Sequence, residues 1–254
     1  MRAGLYLAAR HYTRYYALSL AFSLIAPFIS GLFYLASWAV TGGRADIDKF
    51  LYQLIGVVLI MLAQLATSDF LWTLHGLMSG GQLEYLAASP AGPLPTLASY
   101  YLVQLVAFGT GISTTTAVVV ATIKGPIYGV AVLLAVAVAA ASSLPLIGIA
   151  LCLAYLVPYL RSPSPITMLL NVAIVFLGGV MYPASVLPSA LRLVSSLLPF
   201  AEWAELVRGV ALSLEIPPRA LGPLLGYMAY FALGLLVWRS LMIRFKKSGL
   251  YHVW

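Results

Sequence analysis

The chain has 254 residues, of which 62% are hydrophobic and only 8% charged. A soluble domain carries about 25% charged residues, so this composition excludes a soluble globular protein. The formal net charge is +7, but the basic residues sit beside apolar runs, where they set topology and meet lipid headgroups rather than nucleic acid.

Apolar runs of about 20 residues recur along the chain, the length a helix needs to cross a hydrocarbon core of roughly 30 Å. A bilayer forces backbone hydrogen bonds to close within each segment, so these runs are read as helices. The expectation is an all-α polytopic membrane protein, with residues 1–254 forming one domain. Cys152 is the only cysteine, which excludes an intramolecular disulfide.

In chain order, residues 1–16 are amphipathic. Arg2, Arg10 and Arg14 fall on one broad helical face, and Leu5, Tyr12, Tyr15 and Tyr16 suit the headgroup boundary. This predicts an N-terminal interfacial helix on the cytoplasmic surface. Arg10, His11 and Arg14 interrupt the stretch where a cleavable signal would be apolar, so insertion is expected through the first span. Six transmembrane helices are expected at Ala17–Val40, Phe50–Met78, Leu97–Ile123, Ile127–Val157, Pro165–Tyr182 and Leu221–Ile243. Pro27, Pro145 and Gly148 are the expected kinks.

Residues 79–96 form a polar interruption after the second span, and residues 183–220 a longer one between the fifth and sixth. In the latter, Val186–Leu198 and Ala201–Leu214 are too apolar for a solvated loop and too short to span. Pro183, Pro188 and Pro199 punctuate them. Two half-helices re-entering the outer leaflet, a hydrophobic lid, fit this pattern. Arg2, Arg10, Arg14, Arg161, Arg239, Arg244, Lys246 and Lys247 fall on one side if both termini are cytoplasmic. On that topology the 79–96 segment is cytoplasmic and the 183–220 segment faces outward.

Polar residues within the spans form two stripes. Gln53, Gln64 and His75 recur every eleven residues, about three helical turns, and Ser68 joins their face. Thr167, Asn171, Ile174 and Gly178 share a face of the fifth span. Intramembrane polar groups face protein or a cavity, so both stripes are expected to line a translocation path. The plainer reading is helix–helix contact through small and polar residues. Asp69, the carboxylate inside a span, is expected to pair with a base, Arg14 or Arg161. Glu205 and Arg208 are three apart, the spacing of a local helical pair.

Two segments carry a family resemblance. Residues 81–90, GQLEYLAASP, resemble the pattern G-T-L-E-x-L-L-x-S-P; Gly81, Leu83, Glu84, Leu86, Ser89 and Pro90 match, while Gln82 and Ala87 differ. Residues 176–183, FLGGVMYP, resemble F-L-S-G-x-x-x-P followed by two Leu-Pro steps and an arginine; Gly179, Pro183, Pro188, Pro199, Glu205 and Arg208 match. On these the chain resembles the type-2 ABC transporter permeases. The resemblance implies a six-span domain at the cell membrane that pairs with a second permease copy and with two cytoplasmic ATPase subunits. It implies a coupling helix after the second span, in which Leu83, Tyr85 and Leu86 fill a groove of the ATPase and Glu84 bonds to it. It also implies export of drugs, lipids or glycan-linked lipids by alternating access at the dimer interface. The chain departs from the family just upstream, where 74–80, LHGLMSG, is nearly uncharged.

The chain holds no G-x-x-x-x-G-K-[ST] phosphate loop. It is therefore expected to be no enzyme itself and to carry no cofactor or metal, with ATP and Mg bound by the partner. An ion-coupled secondary transporter is the alternative, but the paired repeats of that class are not found. An intramembrane metalloprotease needs H-E-x-x-H, which is absent, and His11, His75 and His252 stand apart.

Overall fold

Every regular element among the described residues is helical, and no strand occurs there. The structure is a computed structural model, and it describes residues 2–13, 17–18, 20–28, 32, 47–160 and 162–248. The chain runs through α1 (Arg2–Thr13), α2 (20–28), α3 (Ile47–Ala66), α4 (Ser68–Ser79), α5 (Gln82–Ala88) and α6 (Leu94–Lys124). It continues through α7 (Pro126–Ala141), α8 (Leu144–Leu153), α9 (Val157–Leu160), α10 (Ser164–Val172), α11 (Ser189–Leu197), α12 (Phe200–Arg208) and α13 (Pro218–Ser248).

The centre of the bundle is the α3–α4 run, Ile47–Ser79, 33 residues long. Leu51, Leu59, Leu71 and Leu74 are fully buried. A helix apolar all round belongs in the middle of a bundle, where every face has a partner. One residue interrupts it. The Thr67 hydroxyl bonds back to the Ala63 carbonyl at 2.7 Å, a contact that bends helices, and α4 starts afresh at Ser68.

Among the described residues, three helices are long and apolar enough to cross a membrane: Ile47–Ser79, Leu94–Lys124 and Pro218–Lys247. The pair α7 and α8, bent by 41°, makes a fourth if counted as one span. Their break has a local cause. The Ser142 and Ser143 hydroxyls bond back to Val138 and Ala140, and Pro145, which has no N–H to give, stands in the first turn of α8. Of the two further expected spans, most of the second half of Ala17–Val40 lies outside the described residues. The other holds Ser164–Leu177, a shorter apolar helix.

Close packing in lipid depends on small residues that let backbones approach. Gly148 of α8 meets Gly234 and Phe231 of α13. A Cβ on Gly148 would stand 2.5 Å from the Phe231 backbone, and one on Gly234 would stand 2.5 Å from the Gly148 carbonyl. Elsewhere α13 is peripheral and leaves Leu225, Leu233 and Leu236 exposed. Helix α1 packs its Gly4, Ala8 and Tyr12 face along the start of α6. Gly4 lies against Thr96 and Ser99, and Gln104 donates to the Tyr12 hydroxyl.

The last element before the 183–220 segment changes pitch. Residues Ala173–Leu177 form a π turn at the end of α10. A π turn adds a residue to the helical repeat and so rotates the side chains beyond it to a new face.

Candidate functional site

The expected site residues gather at three places. The first is the turn at the end of α4. Gly80 closes α4 and Gly81 opens α5 with φ of 66°, a left-handed conformation that favours glycine. The seven-residue α5 is held by Leu83, only 1% exposed and part of the core, and by buried Ala87. The Ser89 hydroxyl caps its end by donating to the Leu86 carbonyl at 2.7 Å. Pro90 comes next, and Glu84 and Leu86 are half-buried. Tyr85 is 81% exposed. The expectation that Leu83 fills a partner's groove is therefore corrected: it faces inward, because α5 must dock on the bundle to be a helix at all. Tyr85, with Gln82, presents the outward face.

The second place joins the two polar stripes within the chain. The Ser68 hydroxyl of α4 donates to Asn171 Oδ1 of α10 at 3.0 Å. Asn171 and Thr167 also line an open groove of about 480 Å³ with Ser164, Met168, Val172 and Phe176. The rest of the stripes disperses. Ile174 is fully buried and Gly178 is buried too, because the π turn rotates the face and brings Val175 and Phe176 onto the groove. Gln64 turns to a small cavity shared with Ser23, Asp69 and Phe108, since the Thr67 break separates its helix from that of Ser68. Gln53 is half-buried, with Oε1 out of solvent and without a hydrogen-bond partner. His75 meets Trp72 edge to face, ring centroids 5.8 Å apart.

The third place is the 183–220 segment, and its anchor is Arg208. Nη1 donates to the Gly179 carbonyl and to the Tyr52 hydroxyl, both at 2.8 Å, and Nη2 donates to the Val180 carbonyl. Tyr52 itself donates to Gly179 at 3.1 Å. These two carbonyls lie where the chain leaves the π turn, and Gly179 takes φ of 60°. Burial pulls the Arg208 guanidinium down to about 10, so it is charged at neutral pH. The local Glu205–Arg208 pair expected from spacing does not form, and no such ion pair occurs among the described residues. Arg208 points inward at 8% exposed while Glu205 points out.

Gly179, Pro183, Glu205 and Arg208 line one cavity of about 600 Å³ with Tyr52 and Glu202. Burial, then the Glu205 charge, pushes the Glu202 carboxyl above its usual range. Pro188 and Pro199 stand apart from it as the N-caps of α11 and α12. Carbonyls at the end of α11 are satisfied from α13: Tyr230 donates to Leu197 at 2.7 Å and Tyr227 donates to Ser196. Trp203 of α12 donates to Ala139 of α7 at 3.2 Å. A segment with its backbone paired in this way is compatible with apolar surroundings.

The polar stripes pass over Tyr52 and Gly56. Tyr52 adjoins Gln53, but a stripe traced through amides along that helix misses a hydroxyl one position away. Gly56 lies one turn on, directly beneath the Val180 carbonyl and Arg208. Among the described residues no group of His, Cys, Asp or Glu is placed to hold a metal.

Compared with known proteins, the chain matches no family model, no curated protein and no solved structure.

Proposed function

We propose that this chain is the membrane subunit of an ATP-driven exporter built like the type-2 ABC permeases. The observation that carries the reading is α5. A seven-residue helix sits at the end of the central helix, between a left-handed glycine and Pro90, and holds Tyr85 almost wholly exposed. It coincides with the GQLEYLAASP segment on which the resemblance rests. A large aromatic on a short, rigidly docked helix is a suitable anchor for a partner's groove.

On this reading the chain crosses the cell membrane six times with both termini in the cytoplasm, pairs with a second permease copy and seats two ATPase subunits. The ATPases bind ATP and Mg; the permease supplies the path. ATP favours the closed ATPase dimer, α5 passes that movement to α4, and α4 carries it into the bundle. Work is done only if ATP binding favours the outward-open state over the inward-open one. The 183–220 segment, fastened through Arg208, is the outer lid.

Gentle purification of the tagged chain from its native membranes tests this. A stoichiometric phosphate-loop ATPase is expected to co-purify and to be lost in Tyr85→Ala. A stable, monodisperse chain with no ATPase partner overturns the exporter reading.

A further inference from the structure

A cavity of about 450 Å³ opens between α1, α4, α5 and α6, within the size range of small-molecule sites. Among the described residues, four aromatic side chains line it, Tyr12, Trp72, Tyr100 and Phe108, and so does one carboxylate, Asp69. Asp69 makes no side-chain hydrogen bond or ion pair with a described residue; the Thr73 hydroxyl bonds only to its main-chain carbonyl, at 2.8 Å. No described Lys or Arg borders the cavity. Arg14 and Arg161, the bases expected to pair with Asp69, lie outside the described residues.

We propose that this cavity binds a lipophilic organic cation. Aromatic faces attract a cation through the ring quadrupole, most strongly when it is desolvated. Asp69, half-buried in this aromatic wall, favours a positively charged guest over a neutral or anionic one. The remaining polar groups of the wall, Thr73, Gln82 and Gln104, are uncharged. Burial pushes the Tyr12 phenol up to about 12, and the Asp69 charge adds to that push, so Tyr12 stays neutral. Gln104 holds its hydroxyl. Asp69 and Phe108 also border a smaller cavity lined by Ser23 and Gln64.

As a statement about cargo this rests on the exporter reading; as a binding site it does not, and it is measured without any ATPase. The test is equilibrium dialysis of tetraphenylphosphonium against the purified full-length chain in detergent. Saturable binding at one site per chain is expected. Asp69→Asn is expected to weaken it by about tenfold or more, the effect of losing roughly 1.4 kcal/mol. Trp72→Ala, at a half-exposed position whose loss spares the core, is expected to weaken it about fivefold through the lost cation–π contact. Tetraphenylborate, the anion of the same shape, is expected not to displace the cation. The proposal is overturned by absence of saturable binding, by equal binding in a folded Asp69→Asn chain, or by equal displacement with the borate. Binding that emerges only in Arg14→Ala also overturns it, because the cavity would then belong to the chain's own arginine. Absence of a co-purifying ATPase from the parent chain, with cation binding intact, would overturn the exporter reading alone.

Discussion

Arg208 of α12 stacks on Tyr52 of α3, its guanidinium carbon 3.6 Å from the ring centroid. The same guanidinium donates to the Tyr52 hydroxyl and to the two carbonyls just past the π turn. One side chain therefore joins the 183–220 segment, the end of the α10 run and the central helix. Arginine suits this position because its planar fork serves several acceptors at once while its face stacks on a ring.

Arg208→Ala removes the stack and the Val180 carbonyl's donor, and leaves Gly179 with Tyr52 alone. A buried polar group left unpaired costs about 1–3 kcal/mol and a desolvated cation–π stack contributes about 2 kcal/mol, so a loss of about 2–5 kcal/mol is expected. Arg208→Lys is expected to recover only part, and Tyr52→Phe to lose less than Arg208→Ala. The unfolding midpoint of the purified chain in one detergent reads all three. A midpoint in Arg208→Ala equal to the parent's would refute the clasp.

Two glycines are expected to resist even a methyl group. A Cβ at Gly56 would overlap the Val180 carbonyl and crowd Arg208, and a Cβ at Gly148 would press on the α13 backbone. Backbone does not yield as a side-chain tip does, so Gly56→Ala and Gly148→Ala are each expected to cost about 1–3 kcal/mol. Gly76→Ala is the control, since nothing lies within 4 Å of its added Cβ; it should unfold with the parent.

The Ser68–Asn171 hydrogen bond ties α4 to α10 across 103 residues of sequence. Interhelical side-chain bonds in membranes average about 0.6 kcal/mol. A double-mutant cycle of Ser68→Ala and Asn171→Ala is expected to show coupling of that order. Strictly additive midpoint shifts would mean that the bond contributes nothing to stability.

Neighbours on α5 are expected to behave in opposite ways. Leu83→Ala opens a cavity in the core and is expected to cost about 2–5 kcal/mol of stability. Tyr85→Ala is expected to leave the unfolding midpoint within about 0.5 kcal/mol of the parent, as surface changes do, while weakening the ATPase association that the proposed function requires. Retained association in Tyr85→Ala would remove the anchor assigned to it.

The class of the protein was legible in the chain because its cause is local. A backbone in hydrocarbon must satisfy itself within a few residues, so length and apolarity alone announce helices. Turn chemistry is local too: Gly80-Gly81, Ser89-Pro90 and the prolines before α11 and α12 mark element ends as their steric limits require.

The polar stripes were only half legible, since counting by 3.6 assumes an unbroken α-helix. The Thr67 break parts Gln64 from Ser68, and the π turn buries Ile174 and Gly178 while Asn171 stays on the groove. Leu83 and Tyr85, two apart on a short helix, are apolar alike in sequence, and only docking against the bundle decides which faces out. Sequence by itself thus determined the helical membrane character, the turn carrying α5 and the proline-capped helices α11 and α12. Tertiary structure alone decided that Arg208 meets Tyr52, that Ser68 meets Asn171 and that Asp69 shares a cavity with Tyr12, Tyr100 and Phe108. Those meetings join residues far apart along the chain, and no local spacing rule encodes them.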